Sequence, residues 1–298
     1  MAEQTLSLPL APASTPLAWY QRRGTRSLIG RTLAFLLALA GAIGFLIPFL
    51  WAVSTSLKPS SQIFTFPPIW IPSPILWSNY TLALTELPFV RYFANTGIIT
   101  FGAMIGDVFV STIVAYGFAR MRFPGRDALF LVLIGTMMLP MQVTMIPIFI
   151  IFRSLGWVDT FLPLIVPAYF GSAFYIFLLR QFFLTIPSDL EDAALIDGAG
   201  NMTTLWRIFV PLSLPAMATV AIFSFMHHWQ DFFMPLIYLN SKELKTVALA
   251  LQMFRAEFST DWNLMMAAAV TTTIPCLLLF FFAQRYFISG IVMTGLKD

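Results

Sequence analysis

Ionisable side chains are scarce in this chain. Asp, Glu, Lys and Arg make up 10% of its 298 residues, where a soluble domain carries about a quarter. A domain with a fully hydrated surface is therefore excluded. The single cysteine, Cys276, allows no intrachain disulfide. The only two histidines, His227 and His228, are adjacent, and Asp231 lies one helical turn beyond His227. That trio suggests a membrane metalloenzyme. Zinc, however, needs at least three converging ligands, and no His-Glu-x-x-His run occurs. No metal ligand and no catalytic residue is assigned. None of the four lysines follows a glycine, so the phosphate loop Gly-x-x-x-x-Gly-Lys-Ser/Thr is missing. Any nucleotide energy must enter through another polypeptide. The net charge of +3 is small, and no nucleic-acid partner is expected.

What is present is hydrocarbon: 58% apolar residues, with 31 Phe and 15 Met. A spanning helix needs about 20 mainly apolar residues. Six segments qualify: Leu33–Val53, Tyr92–Ala119, Ala128–Phe152, Phe161–Phe182, Val210–Leu239 and Leu264–Phe287. The first is uncharged from Thr32 to Leu57. It is too long for a secretory signal core and reads as a retained helix. Lys and Arg favour the cytoplasmic side. With a cytoplasmic N-terminus, eleven of them fall inside, including Arg22, Arg23, Arg26 and Arg31 before span one and Arg120, Arg122 and Arg126 after span two. The other six, among them Lys58, Arg91 and Arg153, fall outside. Both termini are then cytoplasmic. Residues 1–27 read as a disordered cytoplasmic tail and 28–298 as the membrane domain. Ser54–Arg91 is an external loop with six prolines and the interfacial aromatics Trp70, Trp77 and Tyr80. Thr246–Phe254 is apolar but too short to span, so it lies at the interface or re-enters.

Between spans four and five lies the polar patch Glu191-Asp192-Ala193-Ala194-Leu195-Ile196-Asp197-Gly198-Ala199. Pro187 ends the preceding span. Ser188 and Glu191 fit a capping box. Asp189, Glu191 and Asp192 suit the positive end of a helix dipole. Gly198 and Gly200 supply the stop. The predicted helix has about nine residues and is roughly 13 Å long. Leu190, Ala193, Ala194 and Asp197 share one flank and offer small side chains to a partner. Two readings stand at this point: an ordinary capped loop helix, or a handle for a soluble partner. A second short helix is predicted from near Asn201, returning to the membrane at Pro211.

Inside the membrane, charge is costly and usually faces the bundle interior or water. Asp107, in the middle of span two, could line a pathway, pair with a polar neighbour or carry a proton. Asp231 and Trp229 in span five are further candidates for the pathway wall.

Asp192-Ala193-Ala194, then Gly198, then Ile208-Phe209-Val210-Pro211 closely resembles the EAA loop of binding-protein-dependent ABC import permeases. The family pattern is Glu-Ala-Ala, three residues, Gly, nine residues, Ile-x-Leu-Pro. Asp192 replaces the usual Glu and Val210 the usual Leu, and both keep the chemistry. Ala115–Arg126, Phe177–Phe183, Trp229–Leu236 (with Gln230 for the usual Asn), Asp261-Trp262, Met266–Ala269 and Gln284–Phe287 extend the likeness. It runs from about Tyr80 to the C-terminus, with a core of about 80–288, and points to the carbohydrate-import branch.

The resemblance implies an all-α membrane protein with six transmembrane helices, the type I ABC importer permease fold and a short cytoplasmic coupling helix, in the inner membrane. It implies that Glu191, Asp192, Ala193, Ala194, Asp197, Gly198 and Ala199 form the surface coupled to a cytoplasmic ATPase dimer. It further implies a second, homologous permease subunit and an external solute-binding protein. ATP and magnesium would sit on the partner, leaving no cofactor in this chain. The expected cargo is a di- or oligosaccharide or a related polyol. The rival readings are an ABC permease for another solute class, and a self-contained secondary transporter or channel. The latter usually carries more spans or internal repeats, and no repeat is evident.

Overall fold

The computed structural model describes residues 23–256 and 261–295, and side-chain surroundings within 30–254 and 261–284. The expected tail therefore lies outside the described residues as far as position 22. Helix α1 (Arg23–Ser56) already begins inside the range assigned to the tail. No strand occurs among the described residues. The chain divides into two units, Met1–Ala52 and Val53–Asp298. The first contains most of α1, whose large apolar side chains, such as Phe35, Leu37 and Phe45, are exposed along its length.

The second unit is built from α2 (Ser78–Thr85), α3 (Phe89–Arg120), α4 (Arg126–Thr136), α5 (Met141–Ser154), α6 (Leu162–Ile165) and α7 (Ala173–Thr185). These are followed by α8 (Asp189–Ile196), α9 (Asn201–Thr204), α10 (Val210–Leu212), α11 (Leu214–Trp229), α12 (Phe233–Tyr238), α13 (Val247–Ala256) and α14 (Trp262–Gly295). The Pro-rich stretch before α2 is fastened by Asn79, whose side-chain amide donates to the carbonyls of Ser56 (2.9 Å) and Lys58 (3.0 Å).

Helix α3 is central. Its 32 residues extend roughly 48 Å at helical rise, and it packs against α7, α11 and the 3-10 turn Val166–Phe170. The buried stripe follows helical spacing: Tyr92, Thr96, Ile99, Ala103, Gly106, Ser111, Ala115 and Ala119. Most of these side chains are small. In lipid, where helices gain little from excluding water, small residues let backbones approach and dispersion act. Gly102 and Gly106 show how close the approach is. A Cβ on Gly102 would lie 3.2 Å from Ile165, and one on Gly106 only 2.6 Å from the Tyr169 ring. Two larger clusters close the ends of the bundle. Tyr116, Phe183, Leu205 and Phe209 fill one, and Phe89, Tyr92, Val247, Phe254 and Ala267 fill the other. The apolar segment around Thr246–Phe254 is α13, and it contributes to the second cluster rather than spanning.

Four described helices are long and apolar enough to cross a membrane, and six if two bent pairs each count as one span. The bends revise two expected boundaries. Span three, expected as one run over Ala128–Phe152, is α4 and α5 meeting at 97°. Pro140 opens α5, and a proline disfavours helical backbone in the residue before it. Span five does not continue to Leu239. Helix α11 stops at Trp229, because the Asp231 carboxylate accepts from the amides of Phe233 (3.1 Å) and Met234 (3.2 Å) and starts α12 there. Asp side chains favour such local turns over helix continuation. At its other end α11 meets the Asn201–Leu212 segment at 79°.

The tightness at Gly106 is testable. Gly106→Leu should cost about 1–3 kcal/mol by overpacking. Gly97→Leu, on the same helix where an added Cβ meets nothing within 4 Å, should not. Thermal unfolding of the detergent-solubilised protein compares them, and equal melting temperatures would refute this account of α3.

Candidate functional site

The loop helix α8 spans eight residues and is preceded by Ser188. The expected capping box does not form. Ser188 adopts helical backbone angles, and its carbonyl, not its hydroxyl, takes the amides of Glu191 (2.8 Å) and Asp192 (3.0 Å). Glu191 turns away from the cap toward Arg120, 3.8 Å off. Of the two glycines expected to stop the helix, Gly198 does so, and Gly200, at φ −77, instead precedes α9 as its N-cap. Gly198 sits at φ +79, a region costly for residues with a Cβ, and the amide of Ala199 reaches back to the carbonyl of Ala194 at 2.8 Å.

The helix presents one face and hides another. Ala194 is buried, 6% exposed, against the bundle. Asp192, Ala193, Asp197 and Gly198 are exposed, and Ala199 is half-buried. Leu195 and Ile196 also stand in the open, Ile196 at 86%. The outward surface is therefore small residues and carboxylates beside two uncovered aliphatic side chains.

Arg120, the last residue of α3, anchors this loop. Its Nη2 donates to the carbonyls of Phe183 (2.6 Å) and Ile186. Its guanidinium lies 5.0 Å from the centroid of Phe209. The terminal carbonyls of a helix lack intrahelical partners, and a basic side chain suits that negative end. One largely buried cation thus ties α3 to the end of α7, to α8 and to the Phe209 ring. Just after this ring, Pro211 has no amide for the carbonyl one turn back, and Leu205–Phe209 widens into a π-helical turn.

The second feature is a cavity of about 610 Å³ among α3, α5, α6, α7, α11 and α12. Asp107 and Asp231 both line it, but Trp229 does not. Trp229 is buried elsewhere. Its indole donates to the Thr272 carbonyl (3.1 Å) and its ring stacks on Phe225 at 5.3 Å. Asp107, 4% exposed, accepts from Ser224 Oγ (2.7 Å) and faces His228 Nε2 (3.1 Å). Sequence reasoning left out Tyr175 and Tyr238, which also line the cavity. The only available signal was their position among the apolar residues of α7 and α12. His227, His228 and Asp231 reach the same space, but no group of three possible ligands able to hold a metal occurs among the described residues.

Beside the cavity, Asp159 clasps two loops. Its carboxylate accepts from the amides of Asn240 and Ser241 (both 2.9 Å) and from the Ser241 hydroxyl, while its own amide donates to Tyr238 (2.8 Å).

Residues 107–292 match the protein family described as binding-protein-dependent transport system inner membrane component. The probable ABC transporter permease protein YurM of Bacillus subtilis is 32% identical over 274 residues, which is 90% of this chain and 89% of that protein. The sn-glycerol-3-phosphate transport system permease protein UgpE of Yersinia pestis is 31% identical, over 86% of this chain and 94% of that protein. Among solved structures, a chain of a bacterial ABC transporter involved in the import of the acidic polysaccharide alginate superposes with a TM-score of 0.77. It is 25% identical and covers 92% of this chain and 100% of that one.

Two outcomes follow from this geometry. Arg120→Ala removes charge-assisted bonds worth about 1.5–3 kcal/mol each. It should accelerate amide exchange over 184–199 while leaving the N-terminal half of α3 unchanged, and unaltered exchange over 184–199 would show that the anchor is not needed. The second concerns acid. The Ser241 hydroxyl, then the amides of Ser241 and Asn240, hold the Asp159 carboxyl below the usual carboxylate range. A depressed folded value means that the clasp contributes fully above the unfolded pKa of about 3.9. The contribution fades as pH falls through the lower folded value. Exchange at 240–244 should rise only below about pH 4, and Asp159→Asn should abolish that step.

Proposed function

We propose the following role for this chain, which belongs to the family of binding-protein-dependent transport system inner membrane components. It is the membrane-spanning permease subunit of an ATP-driven ABC importer that carries a sugar, a di- or oligosaccharide or a related polyol derivative, by alternating access. The cargo class rests on the polyol phosphate and polysaccharide named for the Yersinia relative and the alginate transporter. In this reading the chain lies in the inner membrane with both termini and α8 on the cytoplasmic side. The excess of Arg beside the ends of spans one and two supports that orientation. Residues 1–27 form the cytoplasmic tail, and 28–298 the permease domain.

The observation that carries the reading is α8 itself: a short, outward-facing helix fixed at its base by Arg120 to the end of α3. We assign its exposed residues Asp192, Ala193, Asp197 and Gly198, with Ala199, to contact with a cytoplasmic ATPase subunit. Glu191 and Ala194 face the other way and seat the helix on the bundle. Two ATPase subunits bind ATP and magnesium and hydrolyse the nucleotide. Their closure moves α8, and Arg120 passes the movement to α3 and α7. A second, homologous permease completes the pathway, and an external binding protein delivers the solute. The small side chain of Ala193 and the left-handed turn at Gly198 are what such a dock requires: a close approach and a fixed end.

The test is Ala193→Trp and Gly198→Pro in the complete importer reconstituted in proteoliposomes. Proline cannot adopt the positive φ of position 198. Both variants should lower binding-protein-stimulated uptake at least about tenfold, equivalent to roughly 1.4 kcal/mol, with normal membrane insertion. Uptake and ATPase attachment that survive both changes would remove α8 from the coupling surface.

A further inference from the structure

We infer that the cavity beside Asp107 is a solute-contact site selective for uncharged polyhydroxy molecules, and that it discriminates against phosphorylated and uronic-acid forms. The inference rests on the reading of the chain as a sugar permease and narrows its cargo to the neutral members of that class, in contrast to the anionic solutes named for the Yersinia relative and the alginate transporter. Four observations combine. The first is volume: about 610 Å³ accommodates one or two sugar rings, within the range of small-molecule sites. The second is the polar lining. Two carboxylates, Asp107 and Asp231, and two imidazoles, His227 and His228, reach the space, and among the described residues no Lys or Arg lines it. A site built for a phosphate or carboxylate needs cationic or amide donors, most often arginine. This lining instead offers acceptors suited to hydroxyl groups.

The third observation is that one of the two imidazoles is already engaged by a carboxylate. His228 Nε2 is 3.1 Å from Asp107 Oδ2, and Ser224 already donates to the same oxygen. His227 stands with its ring 5.0 Å from that of His228, where two like charges would repel. An entering anion would meet the Asp107 and Asp231 carboxylates across the same space and be repelled by them. The fourth observation is the apolar lining. Phe152, Phe174, Tyr175 and Tyr238 supply ring surface beside the carboxylates. The flat C–H faces of a pyranose suit such rings, while its hydroxyls reach Asp107 and Asp231. Asp231 is held in place because Oδ1 is engaged by the amides that open α12. Its second oxygen has no such commitment to those amides and is available to a solute hydroxyl.

The test uses the complete importer in nanodiscs and two matched pairs of probes, lactose with lactose 6-phosphate and cellobiose with cellobiuronic acid, read by saturation-transfer NMR titration. Each neutral sugar should bind at least about tenfold tighter than its anionic partner. Ser172→Phe, which fills the cavity from its wall, should abolish the binding. Asp231→Asn keeps the cap on α12 but removes the charge, and should shrink the preference to about threefold or less. Asp107→Asn provides a second reading of the same effect. Anionic probes that bind as well as the neutral ones, neutral binding that survives Ser172→Phe, no binding of either sugar, or a preference unmoved by both Asn variants would each overturn the assignment. Stimulation of ATP hydrolysis by the loaded binding protein, measured on the same nanodiscs, reports separately on the importer reading. Its loss would refute that reading and not the charge preference.

Discussion

The close approach of neighbouring backbones to α3 is the constraint on which the rest of the bundle depends. In a lipid environment, apolar side chains alone give helices little reason to associate. The narrow buried stripe of α3, with Thr96, Ala103, Gly106, Ser111 and Ala115, supplies that reason by contact distance. Tyr169 lies against Gly106 closely enough to leave no room for a methyl group. Because α7, α11 and the 3-10 turn all pack on this helix, its position fixes theirs. Two hydroxyls on the buried side of the helix satisfy themselves locally, Thr96 by donating to the Tyr92 carbonyl at 2.9 Å and Thr112 to the Val108 carbonyl at 2.6 Å, while those of Thr100 and Ser111 are buried without a hydrogen-bond partner among the described residues.

The same helix carries the two features on which the proposals rest. Asp107 faces the cavity and Arg120 lies at its end, thirteen positions apart, or roughly 20 Å along the axis. A rigid α-helix links them without a break. The bent elements lie elsewhere, between α4 and α5 and between α10 and α11. The bundle therefore combines one unbroken rod with bent neighbours.

The sequence delimits the apolar spans but not the angles at which they bend. Span two is visible because an apolar run coincides with an uninterrupted helix, α3. In span three Pro140 is a kink signal legible in the sequence, but hydropathy is blind to direction, and the composition stays apolar through the 97° bend there. Span five is misread at its end because Asp231 was weighed as an intramembrane charge and not as the start of a new helix. The stop at Gly198 was legible, since a positive φ leaves a glycine signature. The capping box was not, because Glu191 had a competing partner, Arg120, seventy-one positions away in sequence. Placing Asp107 and Asp231 on the cavity, and Trp229 away from it, required the rotation of each helix about its axis. An all-round apolar sequence such as α11 does not encode that rotation in its periodicity.

Ile196 leaves most of its side chain in water at the end of α8, next to an exposed Leu195. Hydrocarbon so placed orders its first shell of water, and its removal is driven by entropy near room temperature. A partner surface docked on α8, as proposed, would take this water away. The association must then carry a negative heat-capacity change, and its apolar part must strengthen on warming and weaken in the cold.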